Sequence, residues 1–163
     1  MGTRNLTKVI DKDNVTRVAQ YGQWDGYPEY TGKRILEFIS EHNMLDKIEK
    51  SLSKAEFVSD EYVKQVYDKM SSDDDFSIAY PSLTRDTGCD ILMVLVYSNG
   101  PIPIVDSSDF EQNDLFCEGV YTINYYSRTF TSTYHGVTVS VEFDKLPTAE
   151  EYIKSFEKVL TNA

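Results

Sequence analysis

The stretch from Tyr21 to Gly32, which reads YGQWDGYPEYTG, constrains this chain more than any other segment. Its twelve residues hold the only tryptophan of the chain, three tyrosines, three glycines and a proline. Glycine permits positive φ and close backbone approach, and proline fixes its own φ, so the segment can turn sharply more than once. We therefore expect a rigid loop with aromatic walls, whose polar groups are Gln23 and Asp25.

This aromatic loop has two interpretations. In the first it is a structural corner, with Trp24 buried in the core and Asp25 bonded to nearby amides. This is the commoner role, because irregular aromatic loops often only fill space. In the second the loop is one wall of a ligand pocket, which Arg4 or Arg17 could also face.

Hydrophobic patterns predict a hairpin and three helices in the first half of the chain. Runs rich in β-formers at 3–10 and 15–20 enclose a polar turn and indicate a hairpin. Helices are expected from position 32 or 33, then around 44–52, then from Asp60 to Met70. In the third helix the side chains expected to be buried are Tyr62, Val63, Val66, Tyr67 and Met70.

The second half is expected to be rich in strands. The run 90–97 is apolar without alternation, which favours a central strand covered on both faces. A short edge strand at 102–105 follows, because Pro101 and Pro103 cannot donate to a ladder. Segment 106–118 reads as a loop with a helical turn. Runs 120–126, 130–134 and 137–143 predict an antiparallel meander, and the capping box of Thr148 and Glu151 begins a last helix.

This order of elements predicts an α+β fold: one domain over 1–163 with a mainly antiparallel sheet and packed helices. The 163 residues are enough to bury a core. Residues 1–20 lack the apolar core of a signal peptide, and the longest apolar run is too short to cross a bilayer. Two cysteines do not indicate a disulfide scaffold. We expect a cytoplasmic protein that does not bind membranes.

The net charge of −11 is unevenly distributed. Residues 1–55 carry a balance of +1 and residues 56–163 a balance of −12. An acidic domain repels nucleic acid, so direct nucleic-acid binding is not expected. Acidity most often serves solubility alone, but it can also attract a basic protein. The candidate surface for such a partner is the acidic segment that contains Asp106, Asp109, Glu111 and Asp114.

Two blocks of the sequence resemble a family of small uncharacterised proteins found in bacteria, phages, prophages and some fungi. The first block reads TRNLT at 3–7 and VAQYGQWDGYP at 18–28, and the second reads LFCE at 115–118, with Tyr121 and Ile123 downstream. The chain departs from the family pattern at Gly119, where a Trp is expected, at Asn124, where an Asp is expected, and at 30–32. The resemblance covers about a quarter of the chain and implies a site where the blocks meet, without implying an activity.

The common catalytic and cofactor motifs are absent from the sequence. There is no Gly-rich phosphate loop, no CxxC pair and no HExxH, and the two histidines are far apart. Asp73–Asp75 lacks the ligand spacing of a calcium loop, so no cofactor or metal is expected. A carboxylate mechanism that uses Asp25 with Glu118 is an alternative. The balance favours a protein that is not an enzyme.

Two functions therefore remain open. In the first, an acidic phage- or prophage-type protein binds a basic host protein and inhibits a defence factor, such as a nucleic-acid-guided nuclease. In the second, the aromatic loop binds or hydrolyses a small, nucleotide-like ligand. A preformed pocket lined by Trp24 and Asp25 would favour the second. The candidate ligand-binding residues are Arg4, Tyr21, Gln23, Trp24, Asp25, Tyr27 and Glu118.

Overall fold

A five-stranded sheet in the order β2-β1-β5-β6-β7 forms the centre of the fold in the computed structural model. The structure describes residues 2–72, 74–113 and 115–161. Three of the four strand pairings are antiparallel, which confirms the mainly antiparallel α+β fold. The strands of this sheet are β1 (Asn5–Ile10), β2 (Thr16–Gly22), β5 (Gly119–Asn124), β6 (Thr129–Tyr134) and β7 (Val137–Glu142).

The parallel pairing of β1 with β5 joins the N-terminal hairpin to the C-terminal meander. Asn5 is in register with Gly22 of β2 on one side and with Gly119 of β5 on the other. This register brings the end of β2 close to the start of β5. The two sequence blocks of the family resemblance therefore meet at one end of the sheet.

Helices cover one face of this sheet. Tyr152 of the last helix is 1% exposed, stacks on Phe130 of β6 and donates a hydrogen bond to Ser132 at 2.6 Å. A π-helical turn, Pro28–Gly32, leads into the first helix and lies against Tyr152. The helices are α1 (Lys33–Ile39), α2 (Met44–Ser51), α3 (Asp60–Lys69), α4 (Phe76–Ala79), α5 (Ile91–Tyr97) and α6 (Ala149–Thr161).

A second, two-stranded sheet pairs β3 (Ala55–Val58) in parallel with β4 (Ile102–Val105). Pro103 lies in β4, and in a sheet of two strands each strand has an open edge, as expected for a strand that contains proline. Ile102 and Ile104 point into the core and are 3% and 0% exposed. No helix in the described part of the chain combines the length and apolar character needed to cross a bilayer.

The prediction of a central strand at 90–97 was wrong, because Ile91–Tyr97 forms α5. A 3-10 turn at Gly88–Asp90 leads into this helix, which buries Ile91, Leu92 and Leu95. Seven apolar residues with no polar position give no periodicity, so a buried helix and a buried strand read alike. The neighbouring turn and the packing decide between them.

The third helix was predicted correctly, but its buried face was not. Ser59 caps α3 by accepting a hydrogen bond from the amide of Tyr62 at 3.1 Å. No residue of α3 is buried, and Tyr67 is 64% exposed. Its ring packs edge-on against Phe76 of α4 at 5.5 Å rather than against the core. The amphipathic pattern specifies the helix, but the core does not cover its apolar face.

Candidate functional site

The two family-like blocks are in direct contact. Tyr121 donates a hydrogen bond to the carbonyl oxygen of Gly26 at 2.6 Å. A β-carbon on Gly119 would lie 2.5 Å from the same oxygen, so only glycine permits this approach. The backbone amide of Arg4 donates to Glu118 Oε2 at 3.1 Å. The expectation that the blocks meet in space is confirmed by these contacts.

Asn5 lies at the centre of this junction and is 1% exposed. Its Nδ2 donates to the carbonyl oxygens of Thr3 at 3.2 Å and Trp24 at 3.1 Å. β-Carbons on Gly22 or Gly26 would each lie 2.6 Å from the Asn5 side chain, so both glycines make room for it. Its buried Oδ1 has no hydrogen-bond partner among the described residues. The sequence signal for Asn5 was a polar amide in a strand of β-formers, and it was missed.

Trp24 is exposed rather than buried. Its side chain is 47% exposed, and its Nε1 donates to Asp86 Oδ1 at 2.7 Å. The backbone of Gly2 lies against the indole, since a β-carbon there would be 2.6 Å from the ring. The structural-corner interpretation, with Trp24 in the core, is therefore wrong. The indole nitrogen finds its partner at the surface, and the ring forms a wall.

This wall borders a cleft of about 220 Å³ between the aromatic loop and residues 85–90, which we name the Trp24 cleft. The amide of Gln23 donates to the carbonyl oxygen of Arg85 at 3.0 Å and joins the two segments. Gln23, Trp24 and Asp25 were predicted to line a pocket, and all three do so. The lining also includes Tyr30 of the aromatic loop, and it includes Arg85, Asp86 and Asp90, which the sequence did not reveal.

The Trp24 cleft is acidic. Three carboxylates, those of Asp25, Asp86 and Asp90, and the guanidinium of Arg85 are among its described lining groups. Asp90 accepts a hydrogen bond from Arg34 Nε at 2.7 Å, whereas Asp86 accepts from the indole nitrogen of Trp24. Cys89 lies in the floor, where burial raises the pKa of its thiol to about 12. This thiol is therefore a neutral structural group at physiological pH.

Two of the predicted tyrosines support the loop without lining this cleft. Tyr21 donates a hydrogen bond to Gln23 Oε1, and its ring packs edge-on against Phe110 at 5.0 Å. Partial burial raises the pKa of Tyr21. Tyr27 donates to Asp25 Oδ1 at 3.4 Å, and the charge of Asp25 raises the pKa of Tyr27. Both hydroxyls therefore stay protonated and act as donors.

Arg4 and Glu118 belong to a neighbouring location. The Arg4 guanidinium lies 4.8 Å from the ring centre of Phe116, and Glu118 Oε1 lies 3.6 Å from His135 Nε2. Glu118 lines a cleft of about 480 Å³ beside His135, whereas Asp25 lines the Trp24 cleft. The two carboxylates of the alternative mechanism thus face different clefts.

We name residues 106–113 the acidic loop. Three of the four residues predicted to face a partner, Asp106, Asp109 and Glu111, are exposed in it. Asp106 accepts from the amide of Ser108 at 3.0 Å, and Glu111 pairs with Lys8 at 2.8 Å. Asp109 is exposed, and Asp114 lies outside the described residues. The adjoining side chains of Leu115 and Phe116 are 77% and 42% exposed. Acidic and apolar groups therefore share this surface.

Neither family models nor curated proteins nor solved structures contain a match to this chain. Within the described residues, no group of three or more His, Cys, Asp or Glu side chains is arranged to hold a metal ion.

Proposed function

We propose that this protein acts by binding, and that its partner is a basic protein. The observation that carries this proposal is the composition of the Trp24 cleft. An exposed indole and the exposed ring of Tyr30 stand beside the carboxylates of Asp25 and Asp86. Aromatic faces attract cations, and carboxylates form strong hydrogen bonds with guanidinium and ammonium groups. An arginine or lysine side chain of the partner meets both requirements.

The lining of the Trp24 cleft favours a ligand that donates hydrogen bonds, because it includes the carboxylates of Asp25, Asp86 and Asp90. The buried Oδ1 of Asn5 lies behind Gly22 and is not part of this lining. Arginine and lysine side chains carry donors only, so they suit a cleft that is dominated by acceptors.

The acidic loop adds long-range attraction to the same partner. Asp106, Asp109 and Glu111 stand exposed near Tyr21, whose ring packs against Phe110 within the loop. Charge complementarity of this kind raises the association rate more than the affinity. The exposed Leu115 and Phe116 supply apolar contact area beside the charges.

The resemblance to proteins of phages and prophages suggests the biological form of this binding. A partner in the host would be a defence factor, and a nucleic-acid-guided nuclease is the form to test first. The groove in which such an enzyme holds nucleic acid is basic, so an acidic protein with exposed aromatic rings could occupy it. Inhibition by occupation of that groove needs no catalysis by the inhibitor.

A small-ligand function is the second candidate, and the preformed cleft lined by Trp24 and Asp25 favours it. The volume of about 220 Å³ argues against a whole nucleotide. Sites for ligands of that size usually occupy about 300–1,000 Å³. The carboxylates at Asp25 and Asp86 would also repel a phosphate group. A compact cationic ligand is therefore the small molecule that the cleft suits best.

Co-purification from the native host, followed by binding kinetics, tests the proposal. Trp24→Ala should speed dissociation about tenfold or more, as expected for a central aromatic contact. Tyr126→Ala is the matched control, because Tyr126 is 64% exposed and lies outside the cleft. Equal effects of the two substitutions, or no effect of Trp24→Ala, would contradict a role for the cleft.

A triple variant, Asp106→Asn, Asp109→Asn and Glu111→Gln, tests the acidic loop in the same assay. It should slow association at low salt and flatten the salt dependence, since screening acts over a Debye length of about 10 Å at 0.1 M. The control variant removes three exposed charges elsewhere, at Asp13, Glu142 and Glu157. An unaltered association rate at low salt would contradict electrostatic steering by the acidic loop.

A further inference from the structure

A second cleft, of about 430 Å³, runs along α1 beside the Trp24 cleft, and we name it the Glu37 cleft. The carboxylates of Glu29, Glu37 and Glu41 stand at its rim, and Phe38 and Met93 form its apolar part. The three glutamates line the cleft together with Lys33 and Arg34, so its carboxylates outnumber its cationic groups by one. Apolar base and acidic rim together suit a long side chain with a cationic head.

The carboxylates of the Glu37 cleft remain open to a ligand. Glu37 approaches Lys33 at 3.9 Å, but both side chains are at least half exposed. An exposed pair of this kind contributes only about 0–1 kcal/mol, so an incoming cation can replace it. Glu29 and Glu41 are exposed at either end of the cleft.

Tyr30 joins the two clefts. Its exposed ring lines the Trp24 cleft on one side and the Glu37 cleft on the other. Arg34 also lines the Glu37 cleft, where its guanidinium carbon lies 5.9 Å from the ring centre of Tyr30 while its Nε bonds Asp90. The two clefts are thus two compartments of one groove, separated by the Tyr30 ring.

We propose that this groove binds an extended basic peptide segment, with one cationic side chain in each compartment. This inference rests on the proposed function and narrows the partner from a basic protein to a flexible segment that carries two Arg or Lys residues. The stem of the second side chain would lie on Phe38 and Met93, and its head would reach Glu37 and Glu41. Long basic side chains bury their stems and leave the charge at the rim in this way.

The geometry sets the spacing of the two cationic residues. Glu37 follows Tyr30 by seven residues of helical chain, which is about 10 Å along the axis at a rise of about 1.5 Å per residue. A peptide in the extended polyproline II conformation advances about 3.1 Å per residue with three residues per turn, so residues three apart lie on one face, about 9 Å from each other. The favoured pattern is therefore two basic residues separated by two others.

Synthetic peptides with two arginines separated by zero to six Gly/Ser residues test this pattern. Trp24 is the only tryptophan of the chain and lines the first compartment, so its fluorescence reports binding directly. A spacer of two residues should bind about fivefold more tightly than a peptide with a single arginine. Longer and shorter spacers should lose that advantage.

The double variant Glu37→Gln and Glu41→Gln should reduce the two-arginine peptide to the affinity of the single-arginine peptide. Both residues are exposed, so the substitutions leave the core intact. The control variant, Glu61→Gln and Glu142→Gln, removes the same charge from other exposed positions and should leave the spacer preference unchanged.

Three results would overturn parts of this account, and they are distinguishable. If Trp24 fluorescence responds to no arginine peptide and nuclear magnetic resonance detects no binding, the cation site of the proposed function fails. If one arginine binds but a second adds nothing at any spacing, only the groove fails. If the second arginine raises the affinity equally at every spacing, or equally in both double variants, the attraction is non-specific. That result would also contradict binding in the groove.

Discussion

Helices α3 and α5 both differ from what their sequences indicate, but in different properties. Helix α3 is less buried than its pattern predicts, and α5 is a helix where a strand was predicted. The sequence of α3 has an amphipathic pattern, yet none of its ten residues is buried. The sequence of α5 has no polar position in its apolar run and resembles a strand, yet it is a helix with Ile91, Leu92 and Leu95 in the core. A local pattern specifies which helices can form. The elements that surround them decide which become buried.

The two helices should therefore contribute to stability in different ways. Helix α5 packs against α2, and its buried side chains belong to the hydrophobic core that also contains Ile102 and Ile104 of β4. Helix α3 packs with α4 at the surface through the rings of Tyr67 and Phe76, and Phe76 also contacts Tyr80 just after α4. Removal of apolar atoms from α5 should destabilise the whole protein, whereas changes in α3 should act locally.

Leu95→Ala should have the largest effect. Leu95 is 0% exposed, so the substitution leaves a cavity and lowers the free energy of unfolding by about 2–5 kcal/mol. Urea denaturation measures this change. The control in the same helix is Tyr97→Ala, which is 65% exposed and should change stability by about 0.5 kcal/mol or less. A loss below about 1 kcal/mol for Leu95→Ala would contradict the burial of α5.

Alkaline pH should weaken the core around α5. Burial raises the pKa of Cys89, just before the helix, from an ordinary value of 9.0 to about 12. Between these values the unfolded chain loses a proton that the folded chain keeps, so the free energy of unfolding falls as pH rises. The contribution is fully present below pH 9 and is lost toward pH 12.

Denaturation curves of the wild type and of Cys89→Ala between pH 8 and 11 measure this effect. The slope for the wild type should be steeper, by up to about 1.4 kcal/mol per pH unit. Burial also raises the pKa values of Tyr121, Tyr125 and Tyr152, so both proteins should weaken further when tyrosine ionises. Identical slopes for the two proteins would show that Cys89 does not contribute.

Two helix caps give the smallest and most selective test. Ser59→Ala removes the cap of α3, and Thr148→Ala removes the hydroxyl that accepts from the amide of Glu151 at the start of α6. Each loss should cost about 1 kcal/mol. For α6, which buries Tyr152 and Phe156, the cost should lower global stability. For α3 it should appear only as faster amide hydrogen exchange within the helix. A global loss from Ser59→Ala would mean that α3 is coupled to the core.

The fold could be predicted where neighbouring residues encode it. The hairpin of β1 and β2, the meander of β5 to β7 and the capping box of α6 are each specified within a short stretch. The parallel pairing of Asn5 with Gly119 is not, because no local pattern links residues that are so far apart in sequence. The same limit applies to Ile91–Tyr97, whose structure depends on what covers it.

The residues of the candidate site also divide into those that a local sequence pattern identifies and those that it does not. Gln23, Trp24 and Asp25 were identifiable from the aromatic loop itself. Arg85, Asp86 and Asp90 were not, because they come from an unremarkable polar turn that reaches the loop through one backbone hydrogen bond, from Gln23 to Arg85. The exposure of Trp24 also depends on Asp86, since this carboxylate supplies the indole partner at the surface.

The parallel pairing of β1 with β5 has a consequence for biosynthesis. Asn5 and Gly119 are 114 positions apart, so β1 leaves the ribosome long before its neighbour exists. At about 5–20 residues per second the interval is roughly 6–23 s. Throughout it, the edge of β1 that later pairs with β5 is unpaired, and Leu6 and Val9 have no complete core to enter. We expect nascent chains that end before β5 to be recognised by chaperones. We also expect the central sheet to form only after β5 has been synthesised.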